Sequence, residues 1–453
     1  MLNFKLSEVA MWVHGQMTGA DVPVAGVSTD SRAVRKGDLF VALPGEYHDG
    51  HDHVAAAAMA GASAAMVARQ VASDVPQVLV ADTQAALGDL ASAVRARRHA
   101  QVVGITGSNG KTTVKTLTAA ILSRHGRTHV TQGNFNNEIG LPLTLLAMPA
   151  ASEYAVLEMG AGKPGDIAYL AGIARPEVAL VNNIAPAHLE RMGSLEGIAE
   201  TKGAMYTALP AGGVAIINVD DAFAGFFAGL AGTRRIVRFG LEQTADVRAD
   251  VHSMDVRGSR FTLVTPAGQA EVTMPLPGRH NVANALAATA IAHALQAPLA
   301  TIVDGLEHVE AVAGRLVARA MPGGWTLIDD SYNANPGSVA AAIDALMLAP
   351  GERWLVLGNI AELGPTAPAL HARLGELARQ RGIDCLYTVG NMAREAAQAF
   401  GDQACHFDDR DALVKALRGD LHAGVTCLVK GSHSSAMDRV VAALTDGGDD
   451  RAA

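Results

Sequence analysis

Val103-Gly104-Ile105-Thr106-Gly107-Ser108-Asn109-Gly110-Lys111-Thr112-Thr113-Val114 decides how this chain is read. An apolar run from Gln101 to Ile105 enters a Gly-containing turn, and Lys-Thr-Thr then opens a segment that reads as helix to near His125. Strand, turn and helix in that order aim backbone N–H groups and a helix N-terminus at one point, which suits a phosphate chain. Lys111 is placed for β/γ-phosphates and the Thr112 hydroxyl for Mg²⁺. The general pattern G-x-x-x-x-G-K-[ST] is not fully met, because its first glycine falls at Ile105. An ordinary Gly-rich turn is the plain alternative; the strand-to-helix context favours a loop for ATP or GTP.

Outward from that loop, the 453 residues are too many for one ordinary domain, and about three are expected. Hydrophobic residues make up 49% and charged residues 18%, so the chain can fill several cores. A net charge of −9 argues against a nucleic-acid surface and is compatible with small anionic ligands met at local basic points. Cys385, Cys405 and Cys427 have no metal or redox spacing and read as buried thiols in a reducing cytosol. The first residues lack a basic-then-apolar signal pattern, so a cytoplasmic location and no membrane insertion are expected. Two apolar stretches, 54–68 and 282–300, read as Ala-rich helices packed inside a soluble protein.

The pattern predicts an α/β protein of three domains with boundaries 1–82, 83–312 and 313–453. In the first, Asp38 to Leu43 and Gln77 to Val80 are short apolar runs around an Ala-rich stretch. In the second, Glu153 to Met159, Glu177 to Ile184 and Gly213 to Asn218 are strand-like, and Ser194 to Leu209 is a helix stopped by Pro210. That alternation predicts a mainly parallel sheet covered on both faces. In the third, Trp325 to Asp329, Trp354 to Gly358, Cys385 to Val389 and Thr426 to Val429 alternate with helices in a Rossmann-like repeat.

Ligands in such sheets collect at the carboxyl ends of the strands. Glu158 ends one strand and could hold a Mg²⁺ that bridges nucleotide phosphates; a solvated or capping role is the alternative. His188 follows another strand in a Pro-containing loop, where an exposed ring is equally compatible. His48-Asp49-Gly50-His51-Asp52-His53 reads as a polar ligand-binding or turn segment in preference to a zinc site. Asn281, entering an Ala-rich helix, could be its N-cap or could meet a nucleotide base. Asp329 to Pro336 leaves a strand end and is placed at a cleft mouth.

Taken together and in order, these segments resemble the Mur ligase family of ATP-dependent amide-forming enzymes over essentially the whole chain. The family's version of the loop, here Thr106 to Thr112, commonly lacks the early glycine. Gly133-Asn134-Phe135-Asn136-Asn137-Glu138, Leu157 to Ala161, Asn182 to Glu190 and Leu357 to Gly364 are similar to the dipeptide-adding member. The resemblance implies that D-alanyl-D-alanine is joined to UDP-MurNAc-tripeptide through an acyl phosphate, with ATP and Mg²⁺. It implies nucleotide contacts from Gly107, Ser108, Asn109, Gly110, Lys111, Thr112, Thr113, Asn136, Asn137, Asn281, Arg315 and Asp330. Metal would be held by Thr112, Glu158, His188 and a carbamylated Lys202, with Lys111, His188 and Lys202 at the centre of catalysis. Sugar-nucleotide and peptide contacts would come from Ser28, Asp30, Ser31, Arg32, Gly45 and His51 in the first domain. Tyr332, Asn333, Lys430 and Ser432 would supply them in the third. Two departures stand in that third domain: His433 where relatives usually have Arg, and Asn359 where Asp is frequent.

The nearest alternative is a Mur-type or folylpolyglutamate-synthase-like ligase that adds a single amino acid. A GTPase-like switch would need an Asn-Lys-x-Asp base-reading motif, which is absent. A sugar-nucleotide binding protein without catalysis would leave Lys111 and Glu158 unexplained. A monomer with small-molecule partners and no nucleic acid is expected.

Overall fold

The computed structural model of the chain describes residues 4–45, 47–186 and 189–446. Gln101–Thr106 lies inside a six-stranded, fully parallel sheet. Its order is Arg235–Phe239, Val214–Asn218, Val178–Val181, Gln101–Thr106, Tyr154–Glu158 and Thr128–Val130. Alternate residues of a strand point to opposite faces, and both faces here are dry. Val103 and Ile105 pack with the helices Lys111–Leu122 and Arg279–Ala294, while Val102 packs with Thr83–Arg95 and Leu195–Thr207. That is why the strand reads as a continuous apolar run without alternation. Glu158 pairs in register with Ile105, and Val181 with Thr106. Glu158 and Asn182 therefore leave the sheet beside the loop that follows Thr106.

The sequence reading of a mainly parallel middle region left out a three-stranded antiparallel sheet, Arg248–Asp255, Gly258–Thr265 and Gly268–Met274. Its middle strand alternates buried and less buried residues, and Thr265-Pro266-Ala267-Gly268 supplies the turn to the next. Both were signals of hairpins.

Nearer the N-terminus, the order is Gln16–Thr18, Gln77–Leu79, Ala64–Val67, Asp38–Val41 and Gly26–Ser28, parallel except for the first pair. The expected helix over 54–68 is corrected here. Helix Val54–Ala60 stops at Gly61, whose φ of 109° is left-handed, and Ala64–Val67 is a fully buried strand. A run of alanines fits a helix or a strand buried on both faces, and the glycine decides between them.

The last sheet has the order Val317–Ala320, Thr326–Asp330, Val425–Lys430, Glu352–Gly358, Cys385–Val389 and Ala404–Phe407, parallel except at its first strand. Asp330 and Lys430 are register partners at the strand ends. The cysteines are all free, but only Cys427 is buried; Cys385, at the start of a strand next to the edge, is half-buried, and Cys405, on the edge strand Ala404–Phe407, is exposed. Among the described residues no helix is long and apolar enough to cross a membrane.

Candidate active site

A cavity of about 710 Å³ opens where the carboxyl ends of Gln101–Thr106 and Thr326–Asp330 face each other. Its walls include Ser108 to Thr113, Asn136, Asn137, Glu158, Asn281, Arg315 and Asp330. The structure thus brings together nearly all of the nucleotide contacts implied by the resemblance; Gly107 does not itself line the space.

Gly107 and Gly110 have φ of 153° and 78°, and the second starts the helix Lys111–Leu122. A Cβ on Gly110 would run into Asn284 and Asn182, so the tight loop needs glycine both for its conformation and for space. Lys111 Nζ donates to Gly107 O at 2.8 Å, folding the ammonium back over the loop. The loop is pinned from behind. Ser108 N donates to Asn183 O at 2.9 Å, Ser108 Oγ donates to Ala185 O at 2.9 Å, and Asn109 N donates to Asn183 Oδ1 at 2.8 Å.

Glu158 is buried, and Asn136 Nδ2 donates to its Oε1 at 2.8 Å. Its Oε2 has no hydrogen bond; the Lys115 ammonium stands 3.3 Å away and donates instead to Gly133 O at 3.2 Å. Burial pushes the Glu158 carboxyl up, but Lys111, Lys115 and Asn136 together outweigh it, so the group titrates below its ordinary range. Lys115 is a residue that the sequence reading missed. Its only signal was position: one helical turn beyond Lys111, on the buried side of the same helix. Asn137 lines the cavity but turns its Oδ1 to the backbone N–H of Gly140 at 2.9 Å.

Lys202 is buried on helix Leu195–Thr207 and has no hydrogen bond or ion pair with a described residue. Burial, reinforced by the Lys111 charge and opposed by Asp166, drives its amine well below the ordinary lysine value. Burial also lowers Lys111, with Glu158 opposing and Arg315 adding to the drop. His188 lies outside the described residues. Among the described residues no group of three or more His, Cys, Asp or Glu side chains is arranged as a metal site.

Asn281 is not the N-cap. The helix begins two residues earlier, behind Gly278, and Asn281 Nδ2 donates to Pro277 O at 2.8 Å from within its first turn. Its neighbour His280 lines the cavity, and burial with the nearby Lys430 charge lowers that ring to about 4.

The third domain reaches the loop directly. Arg315 Nη2 donates to Thr112 Oγ1 at 3.4 Å, while its guanidinium carbon lies 4.3 Å from the centre of the Tyr332 ring. Asp330 and Lys430 meet at 2.6 Å, and Lys430 also donates to Asn333 O at 3.0 Å. Burial raises Asp330 and lowers Lys430 even so, because desolvation outweighs their attraction. Tyr332, Asn333, Lys430 and His433 line the cavity. Ser432 does not: its buried hydroxyl accepts from Ala361 N at 2.8 Å and donates to Ala334 O at 3.3 Å, making it a strut between loops. Asn359 is structural as well, its Oδ1 accepting from Met392 N and Ala393 N at 3.1 and 3.0 Å.

The first-domain candidates lie away from this cavity. Ser28 Oγ donates to Asp30 O at 2.8 Å, and Arg32, exposed, grips the Asp30 carboxylate at 2.8 and 2.9 Å. Ser31 sits between them in the chain. Gly45 N donates to His48 O at 2.9 Å, closing the turn that leads to Asp49. His51 is not free for a ligand. Its Nε2 accepts from Ala68 N at 2.8 Å and its Nδ1 meets Asp49 Oδ1 at 2.6 Å, so the buried ring shapes the loop from inside.

With this geometry in view, comparison with known proteins is direct. Family profiles described as "Mur ligase family, catalytic domain", "Mur ligase middle domain" and "Mur ligase, glutamate ligase domain" match residues 23–95, 105–292 and 314–433. The UDP-N-acetylmuramoyl-tripeptide–D-alanyl-D-alanine ligase of Escherichia coli is 44% identical over 451 residues, covering 99% of this chain and 100% of that protein. The enzyme of the same name from Haemophilus influenzae is 38% identical, covering 98% of this chain and 99% of its own length. The crystal structure of MurF from Acinetobacter baumannii superposes with a TM-score of 0.93 at 33% identity, covering 98% of this chain and 99% of that one. MurF from Thermotoga maritima, solved in complex with ADP, gives 0.85 at 29%, covering 95% and 99%. A phosphate loop and a buried carboxylate on one cleft, joined to full-length similarity, lead to one conclusion: the chain belongs to the Mur ligase family.

Proposed function

We infer that this chain is the dipeptide-adding ligase of that family: it joins D-alanyl-D-alanine to UDP-MurNAc-tripeptide and consumes ATP. The observation that carries the reading is the convergence of Lys111, Glu158 and Arg315 on one cleft, with Lys202 buried behind it within reach of the Lys111 charge, in a chain 44% identical, end to end, to such an enzyme. A folylpolyglutamate synthase, which superposes at 0.64 with 18% identity, shares the fold alone.

A tripeptide carboxylate oxygen attacks the γ-phosphorus of ATP, the bond to the bridging oxygen breaks, and ADP leaves. The dipeptide amine then attacks the acyl carbon of the resulting acyl phosphate, loses a proton and expels phosphate. Each step gathers negative charge, so fixed cations are the main requirement. Lys111 neutralises the β/γ-phosphates, and Arg315 brings a second cation from the third domain once that domain is docked. Glu158 and Thr112 fit a magnesium ion: Glu158 Oε2 is buried without a hydrogen bond, and Mg²⁺ takes few, hard oxygen ligands from protein. Bound there, the ion supplies charge neutralisation at the phosphates. Lys202 fits a carbamate. Burial lowers the proton affinity of its amine and so favours the neutral form that adds to CO₂; loss of a proton from the adduct would leave an anion able, with His188, to hold a second ion.

In this reading residues 1–82 hold the UDP end through Ser28 to Arg32 and the Gly45 turn, 83–312 hold ATP, and 313–453 hold the dipeptide near Tyr332 and Asn333. A monomer completes the reading, and substrates made of ATP and a nucleotide sugar support a cytoplasmic enzyme. The test is phosphate release from ATP with each substrate omitted in turn. Release that needs both substrates and yields the pentapeptide supports the reading; release with a single amino acid transfers it to a sister ligase.

A further inference from the structure

Asn335 stands at the start of the helix Pro336–Leu346, and its one amide does two jobs. Oδ1 accepts from Ser338 N at 2.9 Å, capping the helix, while Ser338 Oγ accepts from Asn335 N at 2.9 Å. Nδ2 donates across the domain boundary to Asn109 Oδ1 at 2.7 Å. The Ser338 N–H demands an oxygen, so the amide's orientation is set: its nitrogen must face Asn109, and Asn109 must present its oxygen. A Cβ on Gly337 would lie 3.3 Å from Asn109 Nδ2, so a glycine there lets the helix end approach the loop.

On the other side, the Asn109 backbone is fully committed to its own domain. Its N–H goes to Asn183 Oδ1 at 2.8 Å, and its carbonyl accepts from Asn182 Nδ2 at 3.0 Å and Asn183 Nδ2 at 3.2 Å. Asn182 Nδ2 also donates to Asn284 Oδ1 at 3.0 Å, and Asn284 Nδ2 donates to Asn281 Oδ1 at 3.2 Å. A continuous set of amides thus runs from the cap of a third-domain helix, through the tip of the phosphate loop, to the helix that carries Asn281. We propose that Asn335 is a positioning residue for the ligase: its amide registers the docked third domain on Asn109, so that Arg315 arrives over a phosphate loop already in place. The inference rests on the ligase reading above.

Asn335→Ser separates the two jobs. Serine caps a helix as well as asparagine does. It has no amide to reach across to Asn109, however, so the link between the domains is lost while the cap on Ser338 N is kept. Asn109→Ala breaks the same contact from the opposite side without touching the third-domain helix, so the test survives if either variant folds poorly. Three quantities are to be measured: melting temperature, kcat with the Kd for UDP-MurNAc-tripeptide, and nucleotide-dependent compaction by small-angle scattering. Expected are near-native melting and unchanged UDP-substrate affinity, with kcat reduced at least tenfold and compaction lost. The double variant should fall no further than the worse single one. Wild-type kcat and compaction in Asn335→Ser, or losses that multiply in the double variant, would overturn the proposal. A wild-type enzyme that releases phosphate without needing both substrates would instead overturn the ligase reading.

Discussion

Replacing Lys115 by methionine should destabilise the middle domain by stranding a buried carboxylate while leaving Lys111 untouched. Lys115 is 5% exposed and Glu158 3%, with 3.3 Å between ammonium and carboxylate. Methionine keeps an unbranched apolar stem but removes the charge and the donor to Gly133 O. Breaking one side of a buried ion pair costs about 3–5 kcal/mol, because the other charge is stranded. Glu158 retains the charge of Lys111, so the low end applies. A loss of about 3 kcal/mol is more than a hundredfold in the unfolding equilibrium, at 1.4 kcal/mol per factor of ten. For a cooperative unit of this size it lowers the melting temperature by roughly 6–12 °C. Lys115→Met with Glu158→Gln should recover most of that, because glutamine keeps an oxygen for Asn136 Nδ2 and strands no charge. Thermal and urea unfolding of the two variants against wild type make the assay. A single variant within about 1 kcal/mol of wild type, well short of the cost of a stranded buried charge, or a double variant no more stable than the single, would refute the reasoning.

Further outcomes follow from other buried groups. Lys202→Ala should lose ligase activity and regain part of it with millimolar short-chain carboxylic acids, which place an anion in the vacated space; a fully active variant would remove the carbamate. His280, ordinarily near 6.5 and lowered to about 4 here, stays neutral in the folded chain while the unfolded chain protonates. Its contribution is therefore complete above pH 6.5 and lost as pH falls toward 4, and His280→Gln should flatten urea midpoints over that window. His51→Ala takes the acceptor from the Ala68 N–H and one of two donors from Asp49 Oδ1, whose bond from the backbone N–H of residue 51 remains, which should cost about 1 kcal/mol. Unaltered proteolysis of the first domain would show instead that the loop does not depend on the ring.

The phosphate loop was legible because everything it needs is contiguous: strand, two glycines, lysine and threonine lie within a dozen residues, and local conformation suffices to aim them. Glu158 was legible for a related reason, as a carboxylate at the end of an apolar run in a parallel sheet. Side chains whose roles depend on what surrounds them were read less well. His51 looked like a ligand in a His-Asp cluster, yet both of its nitrogens are satisfied from inside. Ser432 sat in a promising loop and is a strut. The alanines at 54–68 fit either a helix or a buried strand, and Gly61 divides them.

Family, domain order and the nucleotide loop are thus properties of the sequence itself, since they rest on periodicity and on motifs closed within a few residues. The working cleft is not. Arg315 meets Thr112 across 203 residues, Asn335 meets Asn109 across 226, and Asp330 meets Lys430 across 100. No local pattern encodes such pairs; they exist because parallel strands place their carboxyl ends together and two sheets face each other across one cavity. Lys115 is the plainest case: a lysine that any helix could show to water becomes a buried counter-charge only when its strand partner carries Glu158.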